Sequence, residues 1–248
     1  MKNIFVILIS FLITSVVYAQ PNVIYTDEDL QIFNRYISYI SSSTQLQELD
    51  ELLEKTAFFF LDKPYTPHTL EIENEESVVV NLREFDCTTY IETVVALTQT
   101  VRSQDHSFDN FIKNLKTLRY REGVLNGYSS RLHYFTDWLY DNEKSGVLEN
   151  LTTLLGGIRE DKQLNFMSTH REAYSQLKLN DSNLSEIIDI EKEINDRGCI
   201  SYIPKSKIAD IDSRIPHMSI IAFTTSINGL DVTHTGFEIK KDGELTFI

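Results

Sequence analysis

From Asp27 onward apolar residues recur at three- and four-residue steps, with Leu30, Phe33, Ile37 and Ile40 on one face. A second amphipathic run, Leu46 through Leu52, Leu53 and Phe58, follows Ser43-Thr44, which can cap it. Two N-terminal helices are therefore expected. Lys63 to Thr69 contains Pro64 and Pro67, and each proline keeps its predecessor out of a helix, so an extended or turning segment follows. Val78-Val79-Val80 predicts a short strand. Tyr90, Val94, Leu97 and Val101 then fall at helical spacing, with Asp86 as the N-cap, and Phe108, Phe111, Ile112 and Leu115 predict a further helix within Ser107 to Tyr120.

Beyond the loop opened by Gly123 and Gly127 the pattern weakens. Leu148 to Met167 reads as two strands around Gly156-Gly157, Thr169 to Leu177 as helix, and Ser182 to Ile194 as a helix that Ser182 would cap. Cys199 to Ile203 reads as a short strand, and Pro204 can start a one-turn helix. The C-terminal part is β: Ile220 to Thr225, Val232 to Ile239 and Glu244 to Ile248, joined by Asn228-Gly229 and Lys241-Asp242-Gly243, which read as hairpin turns. Helices first and an antiparallel meander last make an α+β arrangement, without repeats or low-complexity tracts.

Charge changes the picture by exclusion. Among 248 residues, 23 Lys and Arg stand against 37 Asp and Glu, a formal charge of −14. Nucleic acid and anionic membrane surfaces both call for a basic surplus, so neither is the expected partner. The first residues differ from the rest. Lys2, the apolar run Ile4 to Val17 and the small or apolar Val17-Tyr18-Ala19 predict a signal peptide over residues 1–19, cleaved after Ala19, and the exported product then carries −15. A run of 14 residues is short of the roughly 20 that span a bilayer, which disfavours the alternative of a membrane anchor. A periplasmic or secreted protein with no membrane span after cleavage is expected, with a helical lead-in over 20–62 and one catalytic-type domain over 63–248.

Candidate chemistry centres on the two cysteines. In an exported protein Cys87 and Cys199 can pair as a disulfide. The alternative rests on position. Cys87 would sit in the first turn of a helix, where backbone N–H groups and the helix dipole favour the thiolate. A nucleophilic cysteine needs a base, and of the six histidines His234 stands inside a strand of the terminal meander, with Val232 and Gly236 on its face and Thr233, Thr235, Phe237 and Ile239 on the other. Gly236 as same-face neighbour suggests open space beside the imidazole. A cysteine at a helix start and a histidine on a strand 147 positions later form the papain-like arrangement. The stretch Tyr128 to Trp138, dense in rings and charges, reads either as a ligand wall, with Arg131 and Asp137 fixing orientation, or as an aromatic helix start packed on the core. No paired-ligand spacing for a metal is present, and no cofactor is expected.

Three separated blocks carry a resemblance. Leu82-Arg83-Glu84-Phe85-Asp86-Cys87-Thr88-Thr89-Tyr90-Ile91-Glu92, Arg131-Leu132-His133-Tyr134-Phe135-Thr136-Asp137-Trp138 and Gly229-Leu230-Asp231-Val232-Thr233-His234-Thr235-Gly236 together resemble the N-acetylmuramoyl-L-alanine amidase-like family of papain-like, NlpC-type cell-wall cysteine amidases, over roughly Tyr65 to the C-terminus. The resemblance implies an NlpC-type core with the nucleophile helix packed on the meander. It further implies cleavage of the amide between N-acetylmuramic acid and L-alanine in peptidoglycan fragments, with Cys87 as nucleophile, His234 as base and Tyr65 beside the cysteine. Substrate contacts are expected from Tyr65, Glu71, Tyr128, Arg131, His133, Asp137 and Trp138. Two departures are visible: Met218-Ser219 replaces the usual Gly-Asp pair, and Ile248 falls within the strand that precedes the family's third, imidazole-orienting residue, as in a chain truncated there. The competing expectations are an endopeptidase cutting between D-glutamate and the diamino acid, a catalytically impaired muropeptide-binding homologue, and a secreted structural protein bridged between Cys87 and Cys199.

Overall fold

The computed structural model describes residues 23–41, 48–71, 75–198, 200–241 and 244–248. The leader expected over 1–19, Ser43-Thr44, Cys199 and Asp242-Gly243 lie outside them. Helices α1 (Asp27–Ser41) and α2 (Leu49–Phe59) form as the apolar spacing predicts. They are not an appendage. Ile32, Phe33, Tyr36 and Ile40 of α1 and Leu52 and Ala57 of α2 are buried in one core with residues of α3 (Cys87–Arg102) and α4 (Phe108–Arg119). Strand β1 (Val23–Ile24) pairs in parallel with β2 (Val78–Val79), so the residues before α1 are tied to the segment that leads to Cys87.

The meander is present as β5 (Ile220–Thr224), β6 (Val232–Lys241) and β7 (Glu244–Phe247), in the order β5-β6-β7 and antiparallel throughout. It packs on α3 through Tyr90 and Phe237, whose ring centroids are 6.1 Å apart. Tyr90 also donates its hydroxyl to the Ala57 carbonyl at 2.9 Å. One side chain thus joins α2, α3 and β6, and its burial pushes the phenol up to about 12.

Between α4 and the meander the sequence pattern misleads. No hairpin forms around Gly156-Gly157, because residues 151–157 close successive turns on themselves: Leu155 N–H donates to Leu151 O, Gly156 N–H to Thr153 O and Gly157 N–H to Thr152 O. The strand that does form, β3 (Ile158–Glu160), pairs antiparallel with the distant β4 (Ile200–Tyr202). The helix expected over Thr169 to Leu177 is three short turns, over Phe166–Thr169, Arg171–Ala173 and Ser175–Lys178. The long helix α6 (Asp181–Arg197), which follows α5 (Phe135–Lys144) in the chain, is capped by Asn180 rather than Ser182: Asn183 N–H donates to Asn180 Oδ1 at 3.0 Å. These pieces build a second, smaller core around Tyr128, Tyr134, Leu164, Met167, Leu177, Ile187 and Ile194. Asn228-Gly229 does form a turn between β5 and β6, with Leu230 N–H donating to Ile227 O at 3.3 Å, but not a two-residue hairpin loop. It lies in a connection over 225–231, where the Gly229 carbonyl, at φ 77°, accepts the N–H groups of Asn165 and Phe166.

Candidate active site

The first turn of α3 is built by local chemistry. The Asp86 carboxylate accepts the Thr89 N–H at 2.7 Å, and the Thr89 hydroxyl accepts the Asp86 N–H at 2.9 Å, a reciprocal cap that fixes where the helix begins. Cys87 is the first helical residue. Its thiol is free and half-buried, and the amides of Cys87 and Thr88 stand outside the helix's own hydrogen-bond ladder, pointing with the positive end of the dipole.

The chain before the cysteine is held from several sides. Phe85 pairs with the Pro64 to Thr66 segment, its N–H donating to Pro64 O at 3.0 Å and its carbonyl accepting Thr66 N–H at 2.8 Å, while the Thr66 hydroxyl donates to Glu84 Oε2 at 2.8 Å. From α1, the buried Asp29 carboxylate accepts Leu82 N–H at 2.8 Å and Arg83 Nε at 3.1 Å. Burial opposes its charge, yet these bonds and those from Thr26 hold the carboxyl below its usual range. The pairing of Tyr65 with Phe85 sets the Tyr65 ring beside Cys87. Burial, then the negative charges available at Cys87 and Asp86, push the phenol up, so that Tyr65 is an O–H donor at neutral pH. Tyr65 is nonetheless 64% exposed, which leaves its ring open to a ligand.

His234 sits near the start of β6, opposite Phe223 of β5. A bulge precedes it: Phe223 pairs with His234 but Thr224 with Val232, so Thr233 is the extra residue that re-aims the strand. The imidazole is exposed and contacts the rings of Phe223 and Phe247. It shares its face of the strand with Gly236, whereas Phe237 on the opposite face packs against α3. The space expected beside Gly236 is filled. A Cβ there would come within 2.5 Å of the Phe247 ring and 2.3 Å of the Ile248 carbonyl oxygen, so the glycine serves a close approach and not an opening.

The ligand wall expected over Tyr128 to Trp138 is turned inward. Trp138 is 1% exposed and stacked on Phe135, and Tyr128 is buried beneath the Arg131 guanidinium at 5.0 Å. Asp137 is buried between Arg121 and Arg197, and Arg131 pairs with Glu71 at 2.6 Å and with Glu76 at 3.5 Å. Helix α5 begins at Phe135, and its first turn carries Trp138 and Asp137 into the packing. The core-packing alternative is the one the burial supports. His133 donates a ring N–H from Nε2 to the Tyr128 carbonyl at 2.9 Å; burial first, then the Arg131 charge, hold its imidazole down at about 3.

His133 gives a pH prediction. Above about 6.5 the group is neutral in both the folded and unfolded chain, and below that value the unfolded chain takes up a proton that the folded chain refuses. Stability is expected to fall by about 2 kcal/mol between pH 7 and pH 5 from this residue. Urea midpoints at the two pH values, compared with those of His133→Gln, measure it; an equal fall in the variant would remove His133 as the cause.

Among the described residues no group of three or more His, Cys, Asp or Glu is placed to hold a metal ion. No described helix is long and apolar enough to cross a membrane.

Comparison with known proteins now decides the family. The model of the AmiA-like, N-acetylmuramoyl-L-alanine amidase-like family matches residues 55–248. The chain belongs to that family. Among solved structures, an N-acetylmuramoyl-L-alanine amidase from Bacteroides uniformis is 35% identical, over 81% of this chain and 84% of its own, with a TM-score of 0.74. A Bacteroides fragilis protein provisionally described as a xylanase is also 35% identical, over 77% and 84%, with a TM-score of 0.71. A Legionella pneumophila protein at 20% identity, over 89% and 82% with a TM-score of 0.66, shares the fold. No curated protein matches. This amidase-like chain thus presents Cys87, Tyr65 and the N-terminus of α3 at one place, with His234 on the strand whose other face packs against that helix.

Proposed function

We propose that this chain is an exported cysteine amidase that hydrolyses the bond between N-acetylmuramic acid and L-alanine in peptidoglycan fragments, on a papain-like core of the NlpC type. The observation that carries the reading is a free thiol in the first turn of a reciprocally capped helix, beside an un-ionised tyrosine, in a chain of the N-acetylmuramoyl-L-alanine amidase-like family. Cys87 attacks the lactyl carbonyl of the muramoyl group after giving its proton to His234. The amides at the start of α3 and the Tyr65 hydroxyl receive the developing oxyanion. The imidazolium then returns the proton to the departing alanine amine, and water hydrolyses the thioester to release the muramoyl carboxylate. Among the described residues no hydrogen bond joins Cys87 to His234, so this transfer requires the imidazole to approach the thiol when substrate binds.

The test is incubation with an N-acetylmuramoyl-L-alanine peptide and mass identification of the products. A peptide with a free L-alanine amine is expected, and His234→Ala should lower kcat by about a thousandfold or more. A product cut after D-glutamate would replace this reading by an endopeptidase. Binding without any cleavage would replace it by a muropeptide-binding protein.

A further inference from the structure

Among the described residues no hydrogen bond holds the imidazole of His234. Its contacts are aromatic. Phe223 lies nearly parallel to it, with ring centroids 6.3 Å apart and planes at 25°, and Phe247 stands across it at 5.4 Å and 75°. The two phenyl rings meet each other edge to face at 5.0 Å and 81°, which closes a three-ring cluster.

Two further features show that this cluster is specified by the fold. The bulge at Thr233 sets His234 directly opposite Phe223. Gly236 gives up its side chain where the Phe247 ring must pass: any Cβ there would meet that ring at 2.5 Å. Both phenylalanines are left 41% and 37% exposed, on the face of the meander away from α3.

We infer that Phe223 and Phe247 are positioning residues for His234, an aromatic brace that holds the imidazole by ring contact. The inference rests on the reading of His234 as the base. The rings restrict rotation of the imidazole.

The experiment compares Phe223→Leu, Phe247→Leu and the ring-preserving Phe223→Tyr and Phe247→Tyr with the parent chain, using steady-state cleavage of an N-acetylmuramoyl-L-alanine peptide and nitrogen-detected NMR of the His234 side chain. Each leucine variant is expected to lower kcat about two- to tenfold with KM unchanged. The ring-current shift of the His234 resonances should disappear with it, and the tyrosine variants should restore both. A merely structural role would lower the melting temperature without splitting kcat from KM and without rescue by tyrosine. An inactive His234→Ala beside leucine variants of full kcat and unmoved resonances overturns this inference alone; a fully active His234→Ala overturns the functional reading and this inference with it.

Discussion

Replacing Cys87 by alanine is expected to lower turnover of muropeptide amides by at least about a thousandfold while leaving the fold in place. The separation of the two effects follows from what holds the first turn of α3. Its cap belongs to Asp86 and Thr89, whose reciprocal bonds do not involve the sulfur, and the polar neighbours of the Cys87 Sγ among the described residues are the Thr88 hydroxyl at 4.0 Å and Tyr65. Removing a half-buried sulfur from that position is expected to change stability by no more than about 0.5 kcal/mol. Mass-resolved product formation and thermal unfolding on the same preparation check both halves. Undiminished cleavage by Cys87→Ala would eliminate the thioester route.

The second large effect is on stability and lies one turn and a half further along the same helix. Glu92 of α3 accepts Arg119 Nε of α4 at 2.8 Å, both side chains are 3% exposed, and Arg119 also donates to the Val79 carbonyl at 2.7 Å. Burial pushes the Glu92 carboxyl up and Arg119 pulls it back, so the pair is a balance of desolvation against attraction. Arg119→Met should therefore cost about 3 to 5 kcal/mol, because it strands a buried carboxyl and a carbonyl, and should lower the melting temperature by about 10 °C. Adding Glu92→Leu to it should return more than half of that loss. Urea unfolding of the parent, both single variants and the double variant closes the cycle, and strictly additive losses would show that the two side chains do not act as a pair.

How far the site was legible depended on the range over which each residue finds its partner. Asp86 and Cys87 could be placed because a cap is closed within three residues, and both α1 and α3 are periodic enough to declare their buried faces. Trp138 and Asp137 misled because a dense run of rings and charges has the same composition whether it lines a cleft or fills a core. The deciding partners, Arg121 and Arg197, stand sixteen and sixty residues away. The braces on His234 could not be read at all. They depend on the register of β5 on β6 and on one bulged residue, and a shift of one position would carry every side chain to the other face. Residues 148–178 failed for a related reason: their apolar side chains serve a second core without a fixed period, while the backbone bonds itself in turns.

Asp29 is another such long-range partner. Its carboxylate gathers the Thr26 N–H and hydroxyl, the Leu82 N–H and the Arg83 guanidinium, joining the start of α1 to the residues that deliver Cys87. The family match starts at residue 55, after that helix has ended. The family match and the packing therefore draw different borders in this molecule: the matched stretch contains Cys87 and His234, but the core that buries α3 includes a helix the match leaves out.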